Sequence, residues 1–161
     1  LMSFVERKAV PRAILFTGPS GCGKTTLARA LCSYLPNADI AETNSANFKG
    51  VDTIREVSTR MHTKALRAGG VRVWIMDEVH KLTNDAQNAA LKMLEDTPRH
   101  VYFMLATTDP QKLLKAIVTR CTEIRVSALQ PTVLKGLMES VLKKEKAEDN
   151  LELLQKLEIL E

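Results

Sequence analysis

The residues Gly18-Pro19-Ser20-Gly21-Cys22-Gly23-Lys24-Thr25 follow the short apolar run Ile14-Leu15-Phe16 and fill the spacing G-x-x-x-x-G-K-T. A strand that ends in a glycine-rich loop and restarts as a helix is compatible with few folds, because the loop demands backbone angles that only glycine adopts cheaply. In that geometry successive N–H groups turn inward on an anion, and the helix that starts at Lys24 adds its unpaired N–H groups and dipole. Lys24 supplies a point charge for the outer phosphates of a nucleotide, and the Thr25 hydroxyl is a hard oxygen ligand suited to Mg²⁺. Gly18, Pro19, Ser20, Gly21, Cys22, Gly23, Lys24, Thr25 and Thr26 therefore form the candidate nucleotide-binding segment.

The surrounding pattern says what kind of sheet carries this loop. After the helix expected over residues 24–34, with Leu27, Ala30, Leu31 and Tyr34 on its inner face, a weak strand is expected at 38–43. A helix follows from an Asp52 cap to about Leu66, with Ile54, Val57, Met61 and Leu66 inward. Val71 to Met76 and Val101 to Thr107 are nearly continuous apolar runs, as strands buried on both faces require. Between them lies a helix over 85–96, capped by Thr83 or Asn84. A short helix at 111–117 and a strand at 123–126 come next. Strands alternating with helices predict an α/β fold, a parallel sheet flanked by helices. From Gln130-Pro131 onward the pattern is helical alone, over 132–144 and 149–160, and a helix end is expected over Leu1 to Lys8. The division expected is a core over 1–127 and a small helical region over 128–161.

Composition narrows the setting. A chain of 161 residues with 45% hydrophobic side chains can build one core. A net charge of +4 permits a nucleic-acid partner without demanding one. The three cysteines, Cys22, Cys32 and Cys121, make no C-x-x-C pair, which argues against a zinc module and fits a reducing compartment. No apolar run reaches the roughly 18–20 residues of a membrane span, and the expectation is a soluble, cytoplasmic protein without a membrane partner. His80 has no second His or Cys at metal-ligand spacing and reads as a packed or loop residue.

Chemistry enters at the strand ends. Val71 to Met76 runs into Asp77-Glu78, two carboxylates at the carboxyl edge of the sheet where ligands gather. Asp77 can hold Mg²⁺ and Glu78 can polarise the water that attacks a γ-phosphate. The next apolar strand ends in Thr107-Thr108-Asp109, whose hydroxyls face the same edge in this reading. Arg120 is by default a solvated charge; reaching a neighbouring subunit's nucleotide would make it an arginine finger, worth about 10³–10⁵ in rate where measured.

With these residues in place the chain resembles the AAA+ ATPase subunits of DNA-polymerase clamp loaders, of the bacterial polymerase III gamma/tau or viral small-subunit kind. The resemblance rests on GPSGCGKTT (Gly18–Thr26), WIMDEVHKLTNDAQNAALKMLED (Trp74–Asp96), HVYFMLATTDPQKL (His100–Leu113) and TRC (Thr119–Cys121). Family members read DEVH-x-L, N-A-L-L-K-x-L-E-E, ATTDP-x-K-L and S-R-C at these places. The match extends over about residues 13–145. It implies a P-loop NTPase sheet followed by part of a helical lid, with ATP and Mg²⁺ as cofactors. It implies Lys24 and Thr25 on phosphate and metal, and Asp77 and Glu78 as the Walker B pair. It puts Thr108 at the sensor-1 position, with Thr107 the alternative, and makes Arg120 the finger that completes the next subunit's site. The implied partners are other subunits of a pentamer, a sliding clamp and primer–template DNA. The DNA would be held through phosphate contacts near Lys49, Thr53, Arg55, Lys81, Thr83 and Asn84. Asn44, at the end of the second strand, is expected near Glu78, where its amide could hold the carboxylate inactive. Four departures from the family pattern are expected to matter. The adenine-holding N-terminal segment and the sensor-2 Arg of the lid are missing, so the sequence reads as a fragment. There is no four-cysteine zinc insert, and the finger motif reads T-R-C. The competing assignments are another AAA+ machine acting on DNA (a helicase loader or branch-migration motor), a non-hydrolysing structural subunit, and, more distantly, a small-molecule kinase.

Overall fold

The computed structural model describes residues 10–44 and 50–144. Five parallel strands form one sheet: β1 (Ala13–Thr17), β2 (Asp39–Asn44), β3 (Arg72–Asp77), β4 (Val101–Thr107) and β5 (Thr122–Arg125), in the order β2-β3-β4-β1-β5. The helices between them are α1 (Lys24–Cys32), α2 (Val51–Met61), α3 (Asn84–Glu95) and α4 (Lys115–Arg120), and α5 (Pro131–Lys144) follows the last strand. The α/β expectation holds, and the described residues fall into two units that divide after Ser127.

The period of two along each central strand explains why both faces are covered. Leu15, Trp74, Met76, Phe103 and Leu105 point to the face packed by Ile54, Val57 and Met61 of α2, Ala86, Ala90 and Met93 of α3, and Ile117 of α4. Their strand neighbours Ile14, Phe16, Val73, Ile75, Met104 and Ala106 point to the opposite face, packed by Ala28, Leu31 and Cys32 of α1. At full burial each of the Val, Leu, Ile, Phe and Met side chains contributes about 1.5–3 kcal/mol, so the three central strands anchor the loops at their carboxyl ends. The outer strands differ. β2 carries Asp39 and Glu42, β5 carries Glu123 and Arg125, and each has one neighbour in the sheet.

Several sequence expectations are corrected. In α1 the buried residues are Lys24, Ala28, Leu31 and Cys32, whereas Ala30 and Tyr34 are exposed. The face is turned because Lys24 points back into the loop, and the positions about four and seven residues later must follow it inward. α2 starts at a Gly50 cap and places Asp52 in its first turn, then stops at Met61; Leu66 lies in the following loop, 86% exposed. The single helix expected at 111–117 is a 3₁₀ turn (Pro110–Lys112) followed by α4, displaced toward the carboxyl end. β5 sits one residue earlier than expected. Thr83 and not Asn84 caps α3, its side chain accepting from the Ala86 N–H at 3.3 Å. The helices expected over Leu1 to Lys8 and 149–160, and Lys49, lie outside the described residues.

Candidate nucleotide-binding site

The cleft at the carboxyl ends of the central strands is about 270 Å³ and is lined by Ser20, Gly21, Gly23, Lys24, Thr25, Thr26, Asp77, Glu78 and Thr108. Three separate strand ends thus meet there: β1 through the glycine loop, β3 through the two acids, and β4 through Thr108. β1 and β3 are not adjacent; β4 lies between them, which is what brings Thr108 to the cleft beside both.

The loop has the backbone that its glycines were expected to supply. Gly21 and Gly23 have φ of +74° and +88°, and a Cβ built on either would meet nothing within 4 Å. These are left-handed conformations with open space in front of them, the cradle form in which main-chain N–H groups can face an anion. Lys24 is 7% exposed, and its ammonium donates to the carbonyl oxygens of Gly18 at 2.9 Å and Pro19 at 2.6 Å. Pro19 and Cys22 are the two loop residues outside the cleft lining apart from Gly18; the Cys22 thiol donates to the Pro19 carbonyl at 3.0 Å.

The Thr25 hydroxyl donates to Asp77 Oδ2 at 2.7 Å. A hydroxyl and a carboxylate held together at the foot of a phosphate cradle are the hard oxygen donors that Mg²⁺ takes, so the residues present fit both a triphosphate and its cation. Among the described residues no group of three or more His, Cys, Asp or Glu is arranged to hold a metal.

Glu78 sits at φ +57°, ψ +35°, a left-handed conformation for a residue with a side chain. Such a backbone costs about 1–3 kcal/mol and is found where function demands it. Its N–H donates to Asp77 Oδ1 at 2.8 Å, which ties the two acids into one turn. Its carboxylate receives Lys81 Nζ at 2.6 Å, with His80 Nε2 at 3.8 Å. The Lys81 hydrogen bond is the main reason that the Glu78 carboxyl lies below its ordinary range; partial burial opposes it, and the charges of Lys81, His80 and Lys24 add to it. Lys81 was legible as a basic residue near a helix start, but not as the partner of Glu78. The signal was its i+3 spacing from the acid across a turn.

Thr107 and Thr108 separate cleanly. Thr107 is fully buried; its hydroxyl accepts from the Asp109 N–H at 3.0 Å and lies 3.0 Å from His80 Nδ1. Thr108 is the hydroxyl at the cleft. His80 is packed, as its lack of metal-spaced partners suggested. Arg120 does not line the cleft: it ends α4, half exposed, and pairs with Glu95 of α3 at 2.7 Å. Asn44 stands opposite Asp77 in the β2–β3 register. Of the remaining candidates for DNA, Arg55 pairs with Asp52 at 3.3 Å on α2, and Thr53 lies in that helix's first turn.

One residue that sequence reasoning missed braces the site from behind. Gln87, 2% exposed, donates to the carbonyls of Leu82 at 3.3 Å and Lys112 at 3.1 Å and accepts from the Leu114 N–H at 2.8 Å. It joins the turn after Glu78 to the turn after Thr108. No residue-level signal marks such a glutamine, because its partners are all main chain.

Comparison with known proteins adds an independent line. The family model described as DNA polymerase III, delta subunit matches residues 34–130. The chain is 33% identical over 161 residues to the DNA polymerase III subunit gamma/tau of Mycobacterium tuberculosis, covering 84% of this chain and 28% of that protein. It is 31% identical over 162 residues to Replication factor C subunit 3 of Blastobotrys adeninivorans, covering 98% of this chain and 48% of that protein. The chain thus spans between about a quarter and a half of the length of these relatives. Among solved structures, the Thermotoga maritima RuvB Holliday junction branch migration motor superposes with a TM-score of 0.67 at 23% identity, over 91% of this chain and 48% of that one. That likeness establishes the fold, a parallel five-stranded sheet flanked by helices. Taken with the family match over most of the sheet, it follows that the chain belongs to the DNA polymerase III delta-subunit family of clamp-loader subunits.

Proposed function

We propose that this chain is an ATP-hydrolysing subunit of a clamp loader, acting within an oligomer that places a sliding clamp on primer–template DNA. The observation that carries the reading is the 2.7 Å contact of Thr25 with Asp77, made in the same cleft as the open Gly21–Gly23 cradle, Lys24 and Glu78. A glycine loop alone would serve any phosphate; a loop whose helix-start hydroxyl meets a strand-end carboxylate, with a second acid beside it, suits hydrolysis of a metal-bound triphosphate.

The roles follow from the positions. The main-chain N–H groups of residues 21–25 hold the phosphates, and Lys24 adds its charge on the outer pair. Thr25 and Asp77 hold Mg²⁺, which when bound neutralises charge on the phosphate oxygens. Glu78 orients and polarises the attacking water, and Thr108 donates to the terminal phosphate or that water. Arg120, half exposed and away from its own cleft, serves the site of an adjoining subunit. Residues 1–127 are then the ATPase core and 128–161 part of the lid. The starts of α2 and α3, with Thr53, Arg55, Lys81, Thr83 and Asn84, offer N–H groups and cations to DNA phosphates, a contact that reads shape and weakens steeply with salt.

The test uses the full-length chain with its partner subunits. Lys24→Ala abolishes nucleotide binding, and Glu78→Gln keeps binding and loses turnover. Wild-type turnover rises when clamp and primed DNA are both present and not with either alone. Stimulation by DNA without a clamp would assign the chain to another DNA-associated motor. Binding without any phosphate release in the complete assembly would make it a structural subunit.

A further inference from the structure

Thr25 and Arg29 lie four residues apart on α1, so one stands a turn behind the other on the same face. Each reaches the sheet. Thr25 donates to Asp77 of β3 at 2.7 Å, and Arg29 donates to Glu42 of β2 through Nε at 3.0 Å and Nη2 at 2.6 Å. The strand register sets these contacts side by side. Glu42 pairs with Ile75 and Asn44 with Asp77, so Glu42 sits on the neighbouring strand, two residues back from Asp77. Ile75 packs on the α1 side of the sheet, and the period of two puts Asp77 on that side as well. At ordinary strand spacing and rise the Cα atoms of Glu42 and Asp77 are about 8 Å apart. One guanidinium of α1 therefore has two carboxylates before it, and Glu42 is the one that holds it.

The two acids have different partners. Among the described residues the oxygens of Asp77 accept from neutral donors alone, the Thr25 hydroxyl on Oδ2 and the Glu78 N–H on Oδ1. Glu42 takes the Arg29 cation on both oxygens, the fork geometry in which a guanidinium is bound most firmly. The hydrogen bond and charge of Glu42 are the main reasons that the Arg29 guanidinium lies above its ordinary range; desolvation opposes them, and the charge of Asp77 adds to them. Asp77 is thus within electrostatic reach of Arg29 without touching it. A guanidinium on Asp77 would occupy the oxygens that a divalent ion needs.

We propose that Glu42 is a positioning residue for the metal site: it holds Arg29 off Asp77 and cancels its charge, which keeps Asp77 open to Mg²⁺. The inference rests on the reading of Thr25 and Asp77 as the metal ligands.

Two measurements on the full-length chain with its partner subunits test it. The first is a Mg²⁺ titration of the binding of a fluorescent ATP analogue, with EDTA as the metal-free reference. Glu42→Gln should raise the Mg²⁺ concentration at half-saturation roughly three- to tenfold, the scale of one freed charge acting on a divalent ion through partly screened solvent. Metal-free binding of the analogue should be unchanged or tighter, since a freed cation attracts phosphate; a merely structural role would weaken both. Arg29→Met combined with Glu42→Gln removes both charges and should return the Mg²⁺ dependence close to wild type. A Glu42→Gln protein with wild-type Mg²⁺ dependence overturns the proposal. So does a double variant that stays as weak as Glu42→Gln, because the loss of a strap and not a freed charge would then be at fault. The second measurement needs no nucleotide: labelling with an arginine-selective dicarbonyl, read at Arg29 by peptide mass spectrometry. In Glu42→Gln the guanidinium should move to Asp77, so Arg29 should label several-fold faster once Asp77→Asn is added. Equal labelling of these two variants shows that Arg29 does not turn to Asp77 and overturns the proposal. If the wild-type assembly binds the analogue with no dependence on Mg²⁺, the metal-site reading fails by itself, and the labelling still decides whether Glu42 keeps Arg29 from Asp77.

Discussion

The phosphate loop contains three glycines, Gly18 and Gly23 fixed by the motif and Gly21 at one of its free positions, and replacing Gly18 and Gly21 one at a time separates folding from binding. Gly18 has φ of +152°, and a Cβ placed on it would lie 1.9 Å from the carbonyl oxygen of Val126 and 3.0 Å from its carbonyl carbon. Both atoms are main chain. The Val126 N–H donates to the Thr17 carbonyl at 2.7 Å, so this carbonyl is fixed beside the end of β1. Gly18→Ala therefore adds the cost of an unfavourable backbone region, about 1–3 kcal/mol. It also forces a displacement of about 1 Å that breaks the Val126–Thr17 hydrogen bond, for a further 0.5–1.5 kcal/mol or so, and disturbs the β1–β5 pairing. A total of about 1.5–4.5 kcal/mol lowers the melting temperature by roughly 5–15 °C. Gly21→Ala meets no atom within 4 Å, and its backbone cost is about 1–2 kcal/mol. Its melting temperature should fall by only a few degrees, but its Cβ would stand in the cleft that Gly21 lines and weaken nucleotide affinity. Thermal unfolding without nucleotide and a nucleotide titration together distinguish the two. A Gly18→Ala protein that melts within about 2 °C of the wild type would refute the reasoning. So would a Gly21→Ala protein that melts as low as Gly18→Ala.

Three further outcomes are expected. Gln87→Met leaves the Leu114 N–H and two main-chain carbonyls without their buried partner and should cost roughly 2–4 kcal/mol, read as a lowered urea midpoint at unchanged slope; a shift under about 0.5 kcal/mol would deny the brace. Burial pushes the thiols of Cys32 and Cys121 up to about 11 and about 12, so both remain neutral at pH 8, and Cys22 in the loop should be the fast thiol toward a disulfide reagent, slowed by bound nucleotide. Arg120→Ala breaks a half-exposed pair with Glu95 and should change stability by no more than about 1 kcal/mol; nucleotide binding should be spared and turnover should fall in the assembly alone, so an equal fall in a dilute single subunit would contradict the finger role.

The strands and the loop were legible because their signals are local. Continuous apolar runs gave β3 and β4, and the G-x-x-x-x-G-K-T spacing gave both a conformation and a chemistry. The insertion of β4 between β1 and β3 was not legible, since sequence adjacency says nothing about which parallel strands pair. The inner face of α1 was misjudged for a related reason: periodicity finds a stripe, but Lys24, a charged residue turned inward by the loop, sets which stripe is buried. Helix ends after α2 went astray because Lys64, Ala65 and Leu66 are good helix formers with nothing to pack against. At the site, the acids were found from their place at a strand end, whereas that reading left Thr107 and Thr108 open and the family resemblance chose Thr108. The Glu78–Lys81 pair and Gln87 were not, because each depends on a turn geometry or on main-chain partners that residue identity does not encode.

The outer strands have a consequence for how copies of such a chain can meet. Unpaired strand borders invite a neighbour's strand to continue the ladder, and inward or flanking charges discourage it. With Asp39 and Glu42 along one border and Glu123 and Arg125 along the other, docking by strand addition would bury ionised groups at both seams. A second chain that docked here would therefore have to do so through helices and loops, while the sheet keeps its own strands.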